Sequence, residues 1–198
     1  QRCLKRTPPR SLKTLCDLDI LEREVPPTEK NIETSKKGQY RIKDNFLAFW
    51  FRFVYPMRSF IESDHPEIAM TKLKTGFIPN HVGYVYEDIC RQKMWELNAQ
   101  GKLPFLFDRV GRWWGGKDTE IDIVAIDTTD RSKIIFGECK FHQNVPMQLS
   151  ELHQLKEKAA VVPWGNANRD EYFALFCISG YSEDLQQLAQ EDSHLLLM

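Results

Sequence analysis

No run of this sequence is apolar enough to cross a membrane. The longest, Phe46 to Tyr55, is interrupted by Arg52 and falls far short of the roughly 20 residues that a helical span requires. The N-terminal residues are polar and basic (Arg2, Lys5, Arg6, Arg10), and no apolar core follows them, so a secretory signal is not expected. These absences lead to the expectation of a cytoplasmic protein with no membrane partner. Cysteine is sparse: Cys3, Cys16, Cys90, Cys139 and Cys177 are odd in number and contain no C-x-x-C pair. Neither a disulfide framework nor a zinc site follows, and buried free thiols in a reducing compartment are expected. An excess of positive charge is also missing, with 27 Lys and Arg against 28 Asp and Glu and a net charge of −1. A protein living wholly on nucleic-acid backbone is usually more basic. Any such contact must therefore come from a local patch or a neighbouring domain. Internal repeats and low-complexity segments are absent too.

What is present is an ordinary globular composition, 42% hydrophobic and 28% charged over 198 residues, enough for one well-buried α/β domain and a smaller module. The first texture, residues 1–42, opens with Ser11 as an N-cap and Leu12, Leu15 and Leu18 at helical spacing. An extended run from Ile20 to Val25 stops at Pro26 and Pro27, and a turn at Lys36-Lys37-Gly38-Gln39 leads into Tyr40-Arg41-Ile42. Helix, strand, turn, strand reads as the C-terminal part of a winged helix-turn-helix with the turn as its wing. Its front helices are missing, so residue 1 reads as a cut inside a domain. The second texture, residues 43–79, is a helical linker capped by Asp44 or Asn45. It carries Phe46, Leu47, Phe49, Trp50, Phe51, Phe53, Val54 and Tyr55, and a helix apolar on most sides is expected to be buried.

Residues 80–198 form the third texture. Asn80 reads as an N-cap, and Val82, Val85, Tyr86 and Ile89 place a helix up to about Asn98. A short strand at Leu106–Val110 precedes strands at Thr119–Ile126 and Lys133–Phe141, the last two separated by a polar turn. Leu149, Leu152 and Leu155 mark a helix ending before Pro163. Tyr172–Ile178 reads as a buried strand, Ser182 caps a helix to about Gln190, and Leu195–Leu197 adds a last short strand. An α-β-β-β-α-β order with a meander and a helix crossover predicts an α/β domain, a mixed sheet flanked by helices.

Charge in that sheet carries the chemistry. Alternation puts Asp122 on the face of Val124 and Ile126, and both faces of the strand are apolar. A carboxylate there is costly unless something pairs with it. On the next strand Glu138 and Lys140 are two apart and point the same way. A divalent cation accounts for the three together, because Mg²⁺ (or Mn²⁺) accepts one or two protein carboxylates and takes its other ligands from water and phosphate. Asp122, Glu138 and the backbone carbonyl of Cys139 are the candidate ligands. Lys140 would orient a water or stabilise charge on a phosphodiester. The bland alternative is a buried ion pair, but such pairs are weak sources of stability and buried charge clusters tend to be functional. Glu87 joins the set only if its helix packs over the strand ends.

Asp122, a gap of 15 residues, then Glu138-x-Lys140, all preceded by a helix carrying Glu87, resembles the PD-(D/E)XK nuclease superfamily, whose core has the same element order. The superfamily's Asp often follows Pro; here Ile121 precedes it. A longer set of segments goes further: Tyr40-Arg41-Ile42-Lys43-Asp44-Asn45-Phe46-Leu47, Phe49 to Phe53, Gly111-Arg112-Trp113-Trp114, Glu120 to Val124 and Gly137-Glu138-Cys139-Lys140. These are similar to the C-terminal region of archaeal-type AAA ATPases, where a P-loop ATPase and a winged helix precede a nuclease-like domain of unknown function. The resemblance implies a restriction-endonuclease-like fold and catalytic positions at Asp122, Glu138, Lys140 and Glu87. It also implies DNA as partner, an ATPase module upstream of Gln1, and a homo-oligomer as one assembly to consider.

Weaker signals surround these. Gly111 to Lys117 fits part of a P-loop, but Asp118 replaces the Ser or Thr and a strand follows instead of a helix, so ATP binding is rejected here. Trp113 and Trp114 either stack on bases or anchor the turn into the Asp122 strand. Arg109, Arg112 and Lys117 form the best local basic patch. His142, Gln154 and Lys156 are further polar candidates near the site. Three functions are weighed: a metal-dependent nuclease domain, a catalytically silent nucleic-acid- or partner-binding regulatory domain of an ATPase, and an assembly domain.

Overall fold

The computed structural model describes residues 10–116, 119–166 and 168–198. The chain divides into two compact units, Gln1–Glu24 with Gly38–Gly76 and Val25–Lys37 with Phe77–Met198. In the first, α1 (Arg10–Asp17) is followed by the antiparallel strands β1 (Leu21–Glu24) and β2 (Gln39–Ile42), with Leu21 opposite Ile42 and Glu24 opposite Gln39. Ser11, expected as a cap, lies inside α1. Asp44 does cap α2 (Asn45–Phe49), accepting from the Leu47 N–H at 2.8 Å. A π-helical turn (Trp50–Val54) and a 3-10 turn (Tyr55–Met57) follow, then α3 (Arg58–Glu62) and α4 (Pro66–Phe77).

The expectation of a buried aromatic helix fails. From α2 through α3 no residue is buried, and Phe46 is 64% exposed. Pro56 supplies no N–H, which breaks the regular ladder. Aromatics on every side of the helix cannot all meet one packing face. They pack along the run instead, Phe46 against Trp50 at 6.2 Å and Phe51 against Tyr55 at 5.8 Å between centroids.

In the second unit a π-helical turn (Ile78–Val82) runs directly into α5 (Gly83–Ala99), so Asn80 is within a helical turn and does not cap one. Five strands follow: β3 (Arg109–Gly115), β4 (Thr119–Ile126), β5 (Lys133–Lys140), β6 (Asp170–Cys177) and β7 (Leu195–Leu197), with α6 (Leu149–Ala160) before β6 and α7 (Glu183–Glu191) before β7. They form one mixed sheet in the order β3-β4-β5-β6-β7. The β3–β4 and β4–β5 pairs are antiparallel, and β5–β6 and β6–β7 are parallel. This is the mixed α/β arrangement that the patterning predicts. The strand expected at Leu106–Val110 begins later because the Asn98 side chain clamps Phe107, donating to its carbonyl and accepting from its N–H, both at 3.0 Å.

Each face of the sheet has its own core. Val124, Ile126, Ile134 and Phe136 pack with Leu152, Leu155 and Leu185 of α6 and α7. Ile123, Ala125, Ile135 and Ala174 pack with Cys90 and Met94 of α5. The edge of β3 is covered by residues 25–37. Arg109 donates to the Glu29 carbonyl at 2.9 Å, Trp113 Nε1 to Thr28 Oγ1 at 3.0 Å, and Trp114 Nε1 to the Lys37 carbonyl at 3.1 Å. Such cover removes an exposed edge that would otherwise recruit foreign strands. Among the described residues no helix is long and apolar enough to cross a membrane.

Candidate active site

The site lies where the β4–β5 ladder opens. The two strands pair in register from Ile126–Ile134 to Ile123–Gly137. One step further, the Cys139 N–H donates to Asp122 Oδ2 at 2.8 Å. The Asp122 side chain thus takes a backbone donor that continued strand pairing would use.

A bulge explains how Asp122 reaches it. Gly111 pairs with Val124 but Trp113 pairs with Ile121, so β4 carries one extra residue opposite this part of β3. Simple alternation put Asp122 on the face of Val124 and Ile126. In the structure Ile121 joins that core instead, and the extra residue re-aims Asp122, a common use of bulges beside functional sites. Gly137 keeps the neighbouring strands close. A Cβ there would sit 2.9 Å from Ile123 Cβ and 3.1 Å from the Ala174 carbonyl.

Glu138 follows that glycine and is one of two buried polar side chains among the described residues. Lys140 Nζ donates to its Oε1 at 2.6 Å, and Lys158 Nζ on α6 donates to its Oε2 at 3.0 Å. Asp122 is pushed up to about 6, by burial first and then by the Glu138 charge, against the Cys139 hydrogen bond and the lysines. Burial works to lower Lys140, but Glu138 beside it outweighs that and leaves it raised. The Cys139 thiol points to the opposite core, where a hydrogen bond with Cys90 and burial push it far above its ordinary value. It is an inert structural thiol, so only its backbone is available to the site. Cys90, Cys139 and Cys177 are free and buried as expected, Cys16 is half-buried, and Cys3 lies outside the described residues.

Helix α5, which carries Glu87, packs on β4 and β5. The Glu87 side chain is 15% exposed, with Arg91 at 3.7 Å and Arg112 at 3.5 Å. Its Oε2 is buried with no hydrogen-bond partner. Burial, then the Asp122 charge, push it up to about 7 although both arginines act the other way. Arg91 pairs with Asp88 and donates to the Asp122 carbonyl at 3.2 Å. Arg112, read from sequence as part of a basic patch, is on β3, 11% exposed, and paired with Glu120.

The structure therefore brings Asp122, Glu138, Lys140 and Glu87 into one electrostatic cluster. Lys158, Arg91 and Arg112 belong to it and were not singled out from sequence as site residues. The helix register held the signal for Lys158, which lies three residues after the buried Leu155. The residues singled out instead on α6 point elsewhere: Gln154 is exposed, and Lys156 places its ammonium 5.2 Å from the Phe173 ring. His142 is exposed, and its carbonyl accepts from Ser179. Lys117 and Asp118 lie outside the described residues.

A hard divalent cation in this cluster would have few protein ligands. Burial and a neighbouring carboxylate raise Asp122 and Glu87 even with Arg91, Arg112, Lys140 and Lys158 beside them. Among the described residues no group of three or more His, Cys, Asp or Glu is disposed around one metal. A cation here would be held by Asp122, Glu138 and the Cys139 carbonyl, a donor set typical of Mg²⁺ that leaves room for water and phosphate.

Fold and site together define a mixed α/β protein with a buried acidic-basic cluster at an opening in its sheet. Residues 50–159, more than half the chain, match the DUF234 family, described as archaea bacterial proteins of unknown function, and the chain belongs to it. An uncharacterised protein of Methanocaldococcus jannaschii is 35% identical over 165 residues, covering 83% of this chain. The chain spans 36% of that relative's length. No solved structure matches the chain.

Proposed function

We propose that this is a Mg²⁺- or Mn²⁺-dependent nuclease domain of restriction-endonuclease-like fold, hydrolysing DNA phosphodiester bonds, with Asp122, Glu138 and Lys140 as its active site. The observation that supports it most is the buried Glu138, held by two half-buried lysines, at the point where the half-buried Asp122 replaces the β4–β5 ladder. An apolar fold has no use for charge there. Ion pairs of this kind add little stability, so stability alone does not account for them.

Asp122 and Glu138 would hold the cation, with the Cys139 carbonyl as a further oxygen. Once bound, the cation supplies charge that activates water and neutralises the phosphate. Lys140 presents a protonated ammonium on the same side as Glu138 and stabilises charge on phosphate oxygens. Lys158 adds a second ammonium from α6. Glu87, with Arg91 and Arg112 around it, fixes the Asp122 end of the cluster. The α5-β3-β4-β5-α6-β6 order supports the PD-(D/E)XK reading, and the greater length of the archaeal relative leaves room for the upstream ATPase module that the sequence resemblance implies.

Two observations favour a second reading, a catalytically silent nucleic-acid- or partner-binding regulatory domain. Both Glu138 oxygens are already satisfied by lysines, and the net charge is −1. Cleavage of plasmid and single-stranded DNA with Mg²⁺ or Mn²⁺ separates the two. The expected result is activity in the parent that falls by about 100-fold or more in both Lys140→Ala and Asp122→Ala, in line with the loss of one charge-stabilising group. A folded parent that binds DNA and cleaves none of it would support the silent domain.

A further inference from the structure

The protein carries an aromatic feature that the proposed reaction does not use. Tyr84 lies in the first turn of α5, three residues before Glu87, and is 41% exposed. The Arg112 guanidinium lies 5.2 Å from its ring centroid. Arg112 is itself 11% exposed and committed to Glu87 and Glu120, so its charge is directed at carboxylates and its plane supports the ring. On β3 Trp114 is two residues from Arg112 and therefore on the same face. It is partly exposed, with its orientation fixed by the hydrogen bond to the Lys37 carbonyl. The Tyr84 ring thus lies against the Arg112 guanidinium, Trp114 shares that face of β3, and the guanidinium touches the Glu87 end of the acidic cluster.

We propose that Tyr84 and Trp114 form a base-stacking platform that selects single-stranded nucleic acid for the adjacent site. This rests on the nuclease reading for its use but not for its binding. Stacking on aromatic faces needs unpaired bases, and it adds roughly 1–3 kcal/mol per base to whatever the backbone contacts supply. Duplex recognition relies on many phosphate contacts and brings a steep salt dependence. This chain has 27 basic residues against 28 acidic ones, and the platform's own arginine faces carboxylates. A groove built on phosphate contacts has little to draw on there, whereas exposed rings are available. A duplex keeps its base faces hidden and gains nothing from them.

The test measures binding of 12-nucleotide single strands and the matching duplexes, as DNA and as RNA, carrying 2-aminopurine and with Ca²⁺ in place of Mg²⁺. Stacking is read as quenching of the probe, and melting temperature checks the fold. The expected result is single-strand binding at least tenfold tighter than duplex binding, with a salt dependence shallower than that of the duplex. Tyr84→Leu and Trp114→Leu should each weaken it by roughly tenfold, while Tyr84→Phe should stay within about twofold. DNA and RNA arms that both show this support base stacking, and they say which sugar is preferred. Equal or tighter duplex binding, or folded Tyr84→Leu and Trp114→Leu proteins that both bind single strands like the parent, would overturn the platform. Either result leaves cleavage to be judged separately. Conversely, quenching that depends on Tyr84 in a protein that never cleaves would sustain the platform while removing the nuclease.

Discussion

Two stretches of this chain look alike on a hydropathy scale and end in opposite environments. Phe46 to Tyr55 is the longest apolar run, yet its rings stay exposed: Trp50 is 40% and Phe51 50% accessible. Ile121 to Ile126 and Ile134 to Glu138 include charged residues, yet almost all of this pair of strands is buried. The difference is partner geometry. Strands β4 and β5 have neighbours on both edges and helices on both faces, so even Glu138 is taken out of water. The aromatic run has rings on every side of an interrupted helix, and no single face can cover them. Apolar content says what a segment tolerates; what surrounds it decides burial.

The same contrast explains what sequence reasoning reaches. The order of β3 to β7 with α5 to α7, and the approximate limits of β4, β5 and β6, follow from period-two and continuous apolar runs bounded by turns. The bulge in β4 does not. One extra residue leaves no local signature, and it moved Ile121 onto the face assigned to Asp122. The places of Arg112 and Lys158 in the cluster do not follow either, for a related reason. Each depends on tertiary register, one on β3 extending through Gly111–Trp114 and the other on which side of α6 faces Glu138. The start of β3 was displaced by the Asn98 clamp on Phe107, a side-chain contact nine residues away along the chain.

Substitutions sharpen the contrast, beginning with the largest effect. Phe136→Ala, at the centre of the sheet core and stacked 6.0 Å from Phe173, should cost about 3–5 kcal/mol in urea unfolding, the usual range for a buried aromatic. A loss below about 1 kcal/mol would mean that this core is loosely packed. Gly137→Ala should cost about 1–3 kcal/mol, because the added methyl meets Ile123 and the Ala174 backbone with little room to yield. It should also reduce any cation-dependent activity more than its stability loss explains, since Glu138 is the next residue. Phe51→Ser, in the exposed run, should change stability by no more than about 0.5 kcal/mol. A drop comparable to that of Phe136→Ala would show that the run is covered in solution.

The acidic cluster makes the most direct test of cation binding. Folded-state values of about 6 for Asp122 and about 7 for Glu87 lie above their ordinary values of 3.8 and 4.5. Between about pH 4 and pH 7 the folded protein then holds more protons than the unfolded chain, and stability falls as pH rises through that window. Above it both carboxylates are charged and the repulsion is at its greatest. A divalent cation competes with those protons, so it should stabilise the protein most on the alkaline side, by an amount that grows with its concentration.

The measurement is the melting temperature with and without Mg²⁺ at pH 5 and pH 8, for the parent and for Asp122→Asn. The expected result is a rise of several degrees at pH 8 in the parent, little change at pH 5, and no Mg²⁺ response in Asp122→Asn, which should itself melt no lower than the cation-free parent at pH 8. A parent whose melting temperature ignores Mg²⁺ and Mn²⁺ at pH 8, or a response that survives in Asp122→Asn, would contradict a cation site at Asp122 and Glu138.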